Sequence, residues 1–363
     1  MRKRVCYIHM GPHKTGTKSI QWFLKKHRAE LLKHGYFVPE SGNIHGGHHA
    51  IVRKLCGHEL PYRQQSAGAE FAQALHETPA EAVVISSEAL DTLLRRRECA
   101  KAFFSRLSEL NVEPKLVLFP RNQAQAINSR YVEMVKGFCL SETFEIFVEQ
   151  VTLERILTYA DLLELADAFD VKLLARPFTG LTVAHGVVPE FLRAIDLDPS
   201  QFRSANARLN PVAGPFTVSV ARRLLRLVRD AGRQLTWMQA QRCKRKLAAY
   251  LEQNDWADTG YSGLTTALAR HIEDEWRMNN NAFAQRVWAR PWAEIFVADI
   301  GGEFTPNDLE ISKPGDSIER RLFQAVHEMT AVVEEISVDP ALAIEAAWND
   351  LLQRDGQGPK AHV

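Results

Sequence analysis

The feature that most constrains this chain is a glycine- and threonine-rich turn between a short apolar strand and a helix. The run Val5–Met10 predicts a buried strand, and apolar residues recur at helical spacing from residue 17 to residue 34. Between them lies Gly11-Pro12-His13-Lys14-Thr15-Gly16. A strand that leads through such a turn into a helix points main-chain amides and a helix N-terminus at an anion. The segment therefore predicts a phosphate-binding loop.

The loop also contains the polar side chains that an anion site needs. Positive charge comes from Lys14 and Lys18, and the further candidate ligands are His13, Thr15, Gly16, Thr17 and Ser19. An ATP-binding Walker loop has its lysine directly after the second glycine. Here Thr17 follows Gly16, and the lysine lies two residues before that glycine. The register therefore differs from that of the usual nucleoside triphosphate loop.

Strands and helices alternate along the first half of the chain. After the first strand, further strands are predicted at residues 36–38, 82–86, 115–119 and 171–175, with helices at 50–55, 99–110, 124–136 and 156–169. Alternation of this kind is typical of an α/β fold, in which helices cover both faces of a parallel sheet. The fold class predicted is a P-loop-like parallel sheet flanked by helices, with a helical C-terminal extension.

The second half of the chain predicts helices only, at residues 215–231, 237–254, 264–279, 317–336 and 340–354. We divide the chain into an α/β core with the phosphate loop (1–205), a helical portion of the same domain (206–300), and a linker with C-terminal helices (301–363). The two last helices are candidates for pairing in a homo-oligomer.

A second candidate anion site follows the predicted fourth strand. Arg121 comes at the end of that strand, and Ser129 lies eight residues later, about two turns into the next helix. An arginine offers a planar fork that matches a phosphate group. Either residue alone would be ordinary, as a surface ion pair or a helix-face serine. Together, downstream of the first loop, they predict a second phosphate contact.

These two motifs resemble the family of sulfotransferases that use 3′-phosphoadenosine 5′-phosphosulfate (PAPS), in its bacterial, P-loop-like form. The pattern Pro-x-Lys-Thr-Gly-Thr-x-Ser is similar to the family's 5′-phosphosulfate loop, although the family has threonine where this chain has Lys18. The resemblance covers roughly residues 5–210, and Tyr131 and the segment 159–178 also fit it. It implies PAPS as donor, no metal, Lys14 stabilising the leaving phosphate, and Arg121 with Ser129 on the 3′-phosphate.

A general base for the acceptor hydroxyl is predicted beside the third strand. Family members place a histidine or glutamate just beyond this strand, which favours Glu88; the other interpretation of Glu88 is a helix cap. The cluster His45, His48 and His49 provides the alternative base, since histidine titrates near neutral pH. We take His48 and His49 as candidates for catalysis or for the acceptor pocket. The spacing of the three across two glycines does not match a regular metal site.

Composition excludes several other classes. The 363 residues contain 45 basic and 44 acidic side chains, and a net charge of +1 does not indicate a nucleic-acid-binding protein. The five cysteines are scattered, as expected for reduced thiols. The apolar run after the basic N-terminus is too short for a signal peptide, and no apolar run has the length of a membrane span. The sequence predicts a cytoplasmic protein without a membrane span.

The function predicted is transfer of a sulfuryl group from PAPS to a hydroxyl, with a saccharide or glycolipid as the acceptor class. Two alternatives remain: a P-loop kinase and a non-catalytic nucleotide-binding protein. Against the kinase, no predicted strand ends in the aspartate of a Walker B motif. The tryptophans of the helical portion are candidates for stacking on adenine or for the hydrophobic core: Trp237, Trp256, Trp276, Trp288 and Trp292.

Overall fold

A computed structural model gives the arrangement of the chain and describes residues 3–11, 14–44, 46–154, 157–202, 213–256, 258, 260–310 and 315–339. It confirms the α/β fold class. Five parallel strands form one sheet in the order β2-β3-β1-β4-β5. The strands are β1 (Arg4–His9), β2 (Tyr36–Phe37), β3 (Ala82–Ser86), β4 (Val112–Leu118) and β5 (Lys172–Ala175).

Eleven helices among the described residues accompany the sheet. They are α1 (Thr17–Lys26), α2 (Arg28–Lys33), α3 (His49–Leu55), α4 (Ala67–Glu77), α5 (Ala89–Leu93), α6 (Arg97–Glu109), α7 (Gln123–Lys136), α8 (Phe144–Glu154), α9 (Ala160–Ala168), α10 (Gly180–His185) and α11 (Val187–Ala194). The remaining described helices are α12 (Pro215–Asp230), α13 (Trp237–Gln253), α14 (Thr266–Trp288), α15 (Trp292–Ile295), α16 (Val297–Ile300) and α17 (Asp316–Val338).

The side chains of the central strands alternate between two hydrophobic layers. Val83 and Ile85 pack into the layer under α3, α4 and α6, whereas Val84 lies in the opposite layer with α1 and α11. Because both faces are covered, every residue of β3 is buried. This explains why the strand is a continuous apolar run from Ala82 to Ile85 rather than an alternating one.

The helical half forms a third core with α7 and α8, around α12, α13, α14 and α17. The end of α14 and the segment after it return to the sheet, where Phe283, Trp292 and Phe296 join the layer that contains β1 and β3. Within the described ranges, no helix combines the length and the apolar character needed to cross a lipid bilayer.

Several element boundaries differ from the sequence prediction. The helix expected from residue 17 to 34 is interrupted at His27, whose ring stacks on Phe23 with 4.5 Å between centroids. Strand β4 begins at Val112, before the predicted start, and contains Pro114. Pro114 pairs only with β1, because the pairing of β4 with β5 begins one residue later, at Lys115. The missing N–H of the proline therefore removes no hydrogen bond between β4 and β5. Tertiary packing decides both details. The predicted helix 340–354 lies outside the described residues.

Candidate functional site

The candidate site lies at the edge of the sheet where the strands end. Main-chain hydrogen bonds join three strand ends there: Ser87 N donates to His9 O over 3.0 Å, and Met10 N donates to Val117 O over 3.1 Å. Loops that leave parallel strands at this edge point into one common crevice. The predicted loop after β1, the segment after β3 and the residue after β4 therefore converge.

Two glycines allow the close approach of the chain in the predicted phosphate loop. Gly16 caps α1 with φ 77°, and a Cβ atom there would lie 2.5 Å from Val187 Cγ1. A Cβ on Gly11 would lie 2.4 Å from Thr17 Oγ1. Both positions therefore require glycine. Lys14 also has a positive φ, 72°, and this backbone strain for a residue with a side chain is common at functional sites.

Two buried polar atoms beside Gly11 have no hydrogen-bond partner among the described residues, one at the end of β1 and one at the start of α1. They are Thr17 Oγ1 and His9 Nε2, and both lie beside Gly11, at 2.4 and 3.0 Å from a Cβ placed on it. Leaving a buried polar atom unpaired costs on the order of 1–3 kcal/mol. Such atoms at a helix N-terminus are suited to accept or donate to a bound group.

His9 was not predicted as a site residue, although it is the last residue of β1. Its ring is buried between Phe119 and Phe191, and Nδ1 lies 2.8 Å from Ser86 Oγ. Burial lowers the pKa of His9 to about 4, against the opposing charge of Glu88, so the ring is neutral at physiological pH. The sequence signal was its position at the end of the predicted strand, two residues before Gly11.

Lys14 points its ammonium group at α7. Nζ lies 2.5 Å from Oε2 of Glu133, which also accepts from Lys136 at 2.8 Å and, through Oε1, from Lys244 at 3.1 Å. Burial lowers the pKa of Lys14, and the carboxylate partly restores it. For Glu133, burial works to raise the pKa, but hydrogen bonds from Lys136 and Lys14 outweigh it and hold the pKa far below its usual range.

The remaining predicted loop residues are placed around this lysine. Thr15 is buried, Ser19 N donates to Gly16 O over 2.9 Å, and Lys18 is exposed with its charge close enough to lower the pKa of Lys14. His13 lies outside the described residues. Glu133 and Lys244 were missed by sequence reasoning, because nothing local marks a residue that reaches the loop from another helix.

The second predicted motif meets the first one. Arg121 Nη1 donates to the main-chain oxygen of Lys14 over 3.0 Å, and its guanidinium lies 5.5 Å from the ring of Phe178. Tyr159 fixes the main chain at this point, since its hydroxyl accepts from Arg121 N and donates to Arg121 O. Burial lowers the pKa of Arg121, opposed by Asp299 and Tyr159.

Ser129 is half-buried on α7 and precedes Glu133 by four residues. Side chains at this spacing share one helix face. Since Glu133 contacts Lys14, this face of α7 is turned toward the loop. Tyr131, two residues after the serine, is part of the core instead: its hydroxyl accepts from Arg222 and donates to Glu142 O.

Beyond β3, Glu88 and His49 lie together. His49 Nε2 is 3.6 Å from Glu88 Oε2, and Gln21 of α1 donates to the same oxygen over 2.7 Å. The other ring nitrogen of His49 is 2.7 Å from Ser87 Oγ. A Cβ on Gly47 would lie 2.7 Å from both Gln21 Nε2 and His49 Nε2. Only glycine therefore fits at position 47, next to these two side chains. In this arrangement the carboxylate of Glu88 can accept a proton, and the side chains of Gln21 and His49 orient it.

His48 has a different environment from its neighbour. Its Nδ1 accepts from Ser86 N at 3.0 Å, its Nε2 donates to Pro39 O at 3.1 Å, and the ring is buried. Burial, the main cause, lowers the pKa of His48 to about 4. Both ring nitrogens therefore hold main-chain segments together. His45 lies outside the described residues.

The tryptophans divide into core and surface. Trp276 and Trp292 are buried, Trp288 Nε1 donates to Ala175 O over 3.2 Å, and Trp237 is exposed. Trp256 packs against Phe216 and Tyr250 at the edge of the helical core. In the part of the chain that the structure describes, no group of three or more histidine, cysteine, aspartate or glutamate side chains could hold a metal ion.

Comparisons with known proteins add little to this geometry. No protein-family model and no curated protein matches the chain. It is similar to the crystal structure of a sulfotransferase from Alicyclobacillus acidocaldarius, with 14% sequence identity and a TM-score of 0.38 over 64% of this chain and 97% of that one. A TM-score this low supports no functional conclusion.

Proposed function

We propose that this protein is a PAPS-dependent O-sulfotransferase. The observation that carries the proposal is the hydrogen bond from Arg121 to the main-chain oxygen of Lys14, which joins the two predicted anion-binding motifs from adjacent strands. PAPS carries anionic groups at two places, a 5′-phosphosulfate and a ribose 3′-phosphate. A site with two separate cationic contacts suits such a ligand better than a nucleotide with a single phosphate chain.

The residues present fit the donor. Thr17 Oγ1 and His9 Nε2 are buried without a partner among the described residues, and Gly11 and Gly16 allow Thr17 and Val187 to approach the loop closely. Main-chain amides at the start of α1 form an anion cradle, and the ammonium of Lys14 would complete it on leaving Glu133. We assign this cradle to the 5′-phosphosulfate, with Lys18 at its exposed rim and Thr15 and Ser19 supporting the turn.

Arg121 and Ser129 are assigned to the 3′-phosphate. The guanidinium is held by Phe178 and by the carbonyl of Lys14, which leaves further N–H groups for a phosphate. Ser129 lies on the face of α7 that is turned to the loop. The resemblance of the two motifs to the family supports the same assignment.

The chemistry we propose is an in-line displacement. When bound, PAPS supplies the sulfuryl group: the acceptor oxygen forms a bond to sulfur while the bond from sulfur to the 5′-phosphate oxygen breaks, and the electron pair leaves on that phosphate. Glu88 receives the proton of the acceptor hydroxyl, and His49 and Gln21 orient its carboxylate. Lys14 stabilises the negative charge on the leaving phosphate. We assign no catalytic role to His48, because both its ring nitrogens form hydrogen bonds with the main chain.

For the acceptor we propose a hydroxyl of a saccharide or glycolipid. The support is the polar surroundings of Glu88, where His49, Gln21 and Ser87 can exchange hydrogen bonds with several hydroxyl groups.

The experiment that tests the proposal is calorimetric titration with adenosine 3′,5′-bisphosphate, PAPS and Mg-ATP. The proteins are wild type, Lys14→Met, Arg121→Ala and, as control, Lys18→Met at the exposed rim. We expect the bisphosphate and PAPS to bind wild type, and the first two substitutions to weaken binding at least tenfold, with a smaller loss in the control. Binding of Mg-ATP alone would favour the kinase and overturn the proposal.

Turnover is tested with a panel of saccharides and [35S]PAPS. The substitution Glu88→Gln should lower the rate about 10²–10⁴-fold, and His49→Gln should lower it less. A larger loss in His49→Gln would reverse the two roles. Donor binding without transfer to any acceptor would favour the non-catalytic alternative.

A further inference from the structure

We propose that Glu133 is a positioning residue that competes with the donor for Lys14, so that it lowers the affinity of the loop for anions and promotes product release. The inference rests on the proposed function for the identity of the ligand. The competition itself concerns any anion that needs the ammonium of Lys14.

The geometry puts Lys14 in a place other than the anion cradle. Its ammonium group lies 2.5 Å from Glu133 on α7, although its backbone belongs to the loop after β1. A lysine that must contact a phosphosulfate at the start of α1 has to share or leave this carboxylate. Lys14 and Glu133 retain 27% and 33% exposure of their side chains, so solvent and ligand can reach the pair.

Two further lysines keep the carboxylate occupied when Lys14 moves. Lys136 lies one turn along α7, and Lys244 reaches Glu133 from α13. If Lys14 were the only partner, its departure would leave a half-buried charge unpaired at considerable cost. With two ammonium groups remaining, Glu133 stays ionised and paired. The exchange of Lys14 between Glu133 and a ligand is therefore inexpensive in either direction.

The position of Glu133 also opposes a bound anion directly. It shares a face of α7 with Ser129, the proposed ligand of the 3′-phosphate, four residues earlier. A fixed negative charge next to an anion site disfavours the bound state of a polyanion. Because the product adenosine 3′,5′-bisphosphate would be held by the same cations as PAPS, Glu133 accelerates its release.

A purely structural interpretation makes different predictions. In that case Glu133 ties the loop, α7 and α13 together, and its removal lowers the melting temperature without improving anion binding. The decisive measurement is therefore affinity, together with a test of whether the effect depends on Lys14.

The experiment is a double-mutant cycle with Glu133→Gln, Lys14→Met and the double variant, titrated with two probes: adenosine 3′,5′-bisphosphate and inorganic pyrophosphate. The matched control is Glu142→Gln, a carboxylate of equal exposure that pairs with Arg229 at 2.7 Å. We expect Glu133→Gln to tighten binding of both probes about two- to fivefold. The gain should vanish in the Lys14→Met background and be absent in the control.

A second variant gives an effect of opposite sign. Lys244→Met removes a competitor for Glu133, which then holds Lys14 more tightly, so both probes should bind more weakly in the wild-type background. Part of that loss should disappear in the Glu133→Gln background. If Lys244 acted only through its charge on the ligand, the loss would be equal in both backgrounds, and the inference would fail.

The two probes separate the inference from the proposed function. Tighter pyrophosphate binding in Glu133→Gln, with no bisphosphate binding in any variant, supports the competition and rejects the sulfotransferase. Bisphosphate binding that is unchanged or weaker in Glu133→Gln rejects the competition and leaves the proposed function standing. With both inferences correct, Glu133→Gln should also lower KM for PAPS and lower kcat where product release limits the rate.

Discussion

The guanidinium of Arg121 donates to the main-chain oxygen of Lys14 over 3.0 Å, so the residue that follows β4 fixes the loop that follows β1. The contact orients the carbonyl of a residue whose φ is positive and whose side chain points away to α7. One arginine therefore stabilises the strained turn and presents its other N–H groups to a ligand.

Replacement of Arg121 by lysine is expected to weaken both the binding of the ligand and the stability of the turn. Arg121→Lys keeps the charge but loses the planar fork and the stacking on Phe178. We expect at least tenfold weaker binding of adenosine 3′,5′-bisphosphate, and faster amide exchange in the loop after β1. Calorimetry and hydrogen exchange measure the two effects. Binding equal to wild type would mean that only the charge of Arg121 matters.

Removal of the Thr17 hydroxyl is expected to stabilise the free protein and to weaken the binding of anions. Thr17→Val keeps the shape and removes a buried hydroxyl that has no partner among the described residues. The free protein should become more stable by about 1 kcal/mol, because the desolvation cost of the hydroxyl disappears. Binding of pyrophosphate and of the bisphosphate should weaken about fivefold or more.

The matched control for Thr17→Val is Ser219→Ala in α12, where another buried hydroxyl has no partner among the described residues. That variant should gain stability in the same way and leave ligand binding unchanged. Thermal unfolding and calorimetry on both variants give the comparison. Unchanged anion binding in Thr17→Val would exclude the hydroxyl from the site.

His48 predicts a pH dependence of stability. Its pKa in the folded protein is about 4, below the ordinary value near 6.5, so between these two pH values the unfolded chain binds a proton that the folded chain does not. The contribution of His48 to stability is therefore fully present above pH 6.5 and is lost as the pH falls toward 4, by about 3 kcal/mol.

The variant His48→Asn tests this dependence, since its amide oxygen can accept the hydrogen bond from Ser86 N but does not titrate. It should be less stable at pH 7 and should lose less stability than wild type between pH 6.5 and pH 4. The measurement is the unfolding free energy across this range. An identical slope in the two proteins would assign the acid sensitivity to other groups, of which the buried His9 is the next candidate.

The helical half contains a buried ionic group that predicts a large loss of stability. Arg222 donates to Asp308 over 2.7 Å, and Tyr261 donates to the same carboxylate oxygen over 2.7 Å. Both charged side chains are almost fully buried. Asp308→Asn should cost about 3–5 kcal/mol, because it leaves the buried guanidinium with less compensation.

The double variant Arg222→Met, Asp308→Asn removes both charges of the buried pair. It should therefore be more stable than Asp308→Asn alone, in which the guanidinium of Arg222 has lost the carboxylate at position 308. Denaturant unfolding of the single and double variants provides the test. If Asp308→Asn is neutral, Glu310, which also contacts Arg222, is sufficient to hold it.

The sequence by itself determined the sheet and the position of the glycine-rich turn at its edge. Its continuous apolar runs, separated by helical periodicity, predict parallel strands covered on both faces, and this is what forms. The local pattern of the turn around Gly16 fixes a loop before a helix, because glycine is needed where φ is positive and where Val187 approaches. The assignments of Lys14, Arg121, Ser129 and Glu88 to donor and acceptor remain predictions.

The tertiary structure alone decided which side chains meet. His48 and His49 are adjacent in sequence, yet one ring is buried between main-chain groups and the other lies beside Glu88. Glu133 and Lys244 come from helices far apart in the chain, and Glu133 contacts both Lys244 and Lys14. Charge partners of this kind have no local signature, because their distances are set by how α7 and α13 pack rather than by the spacing of residues along either helix.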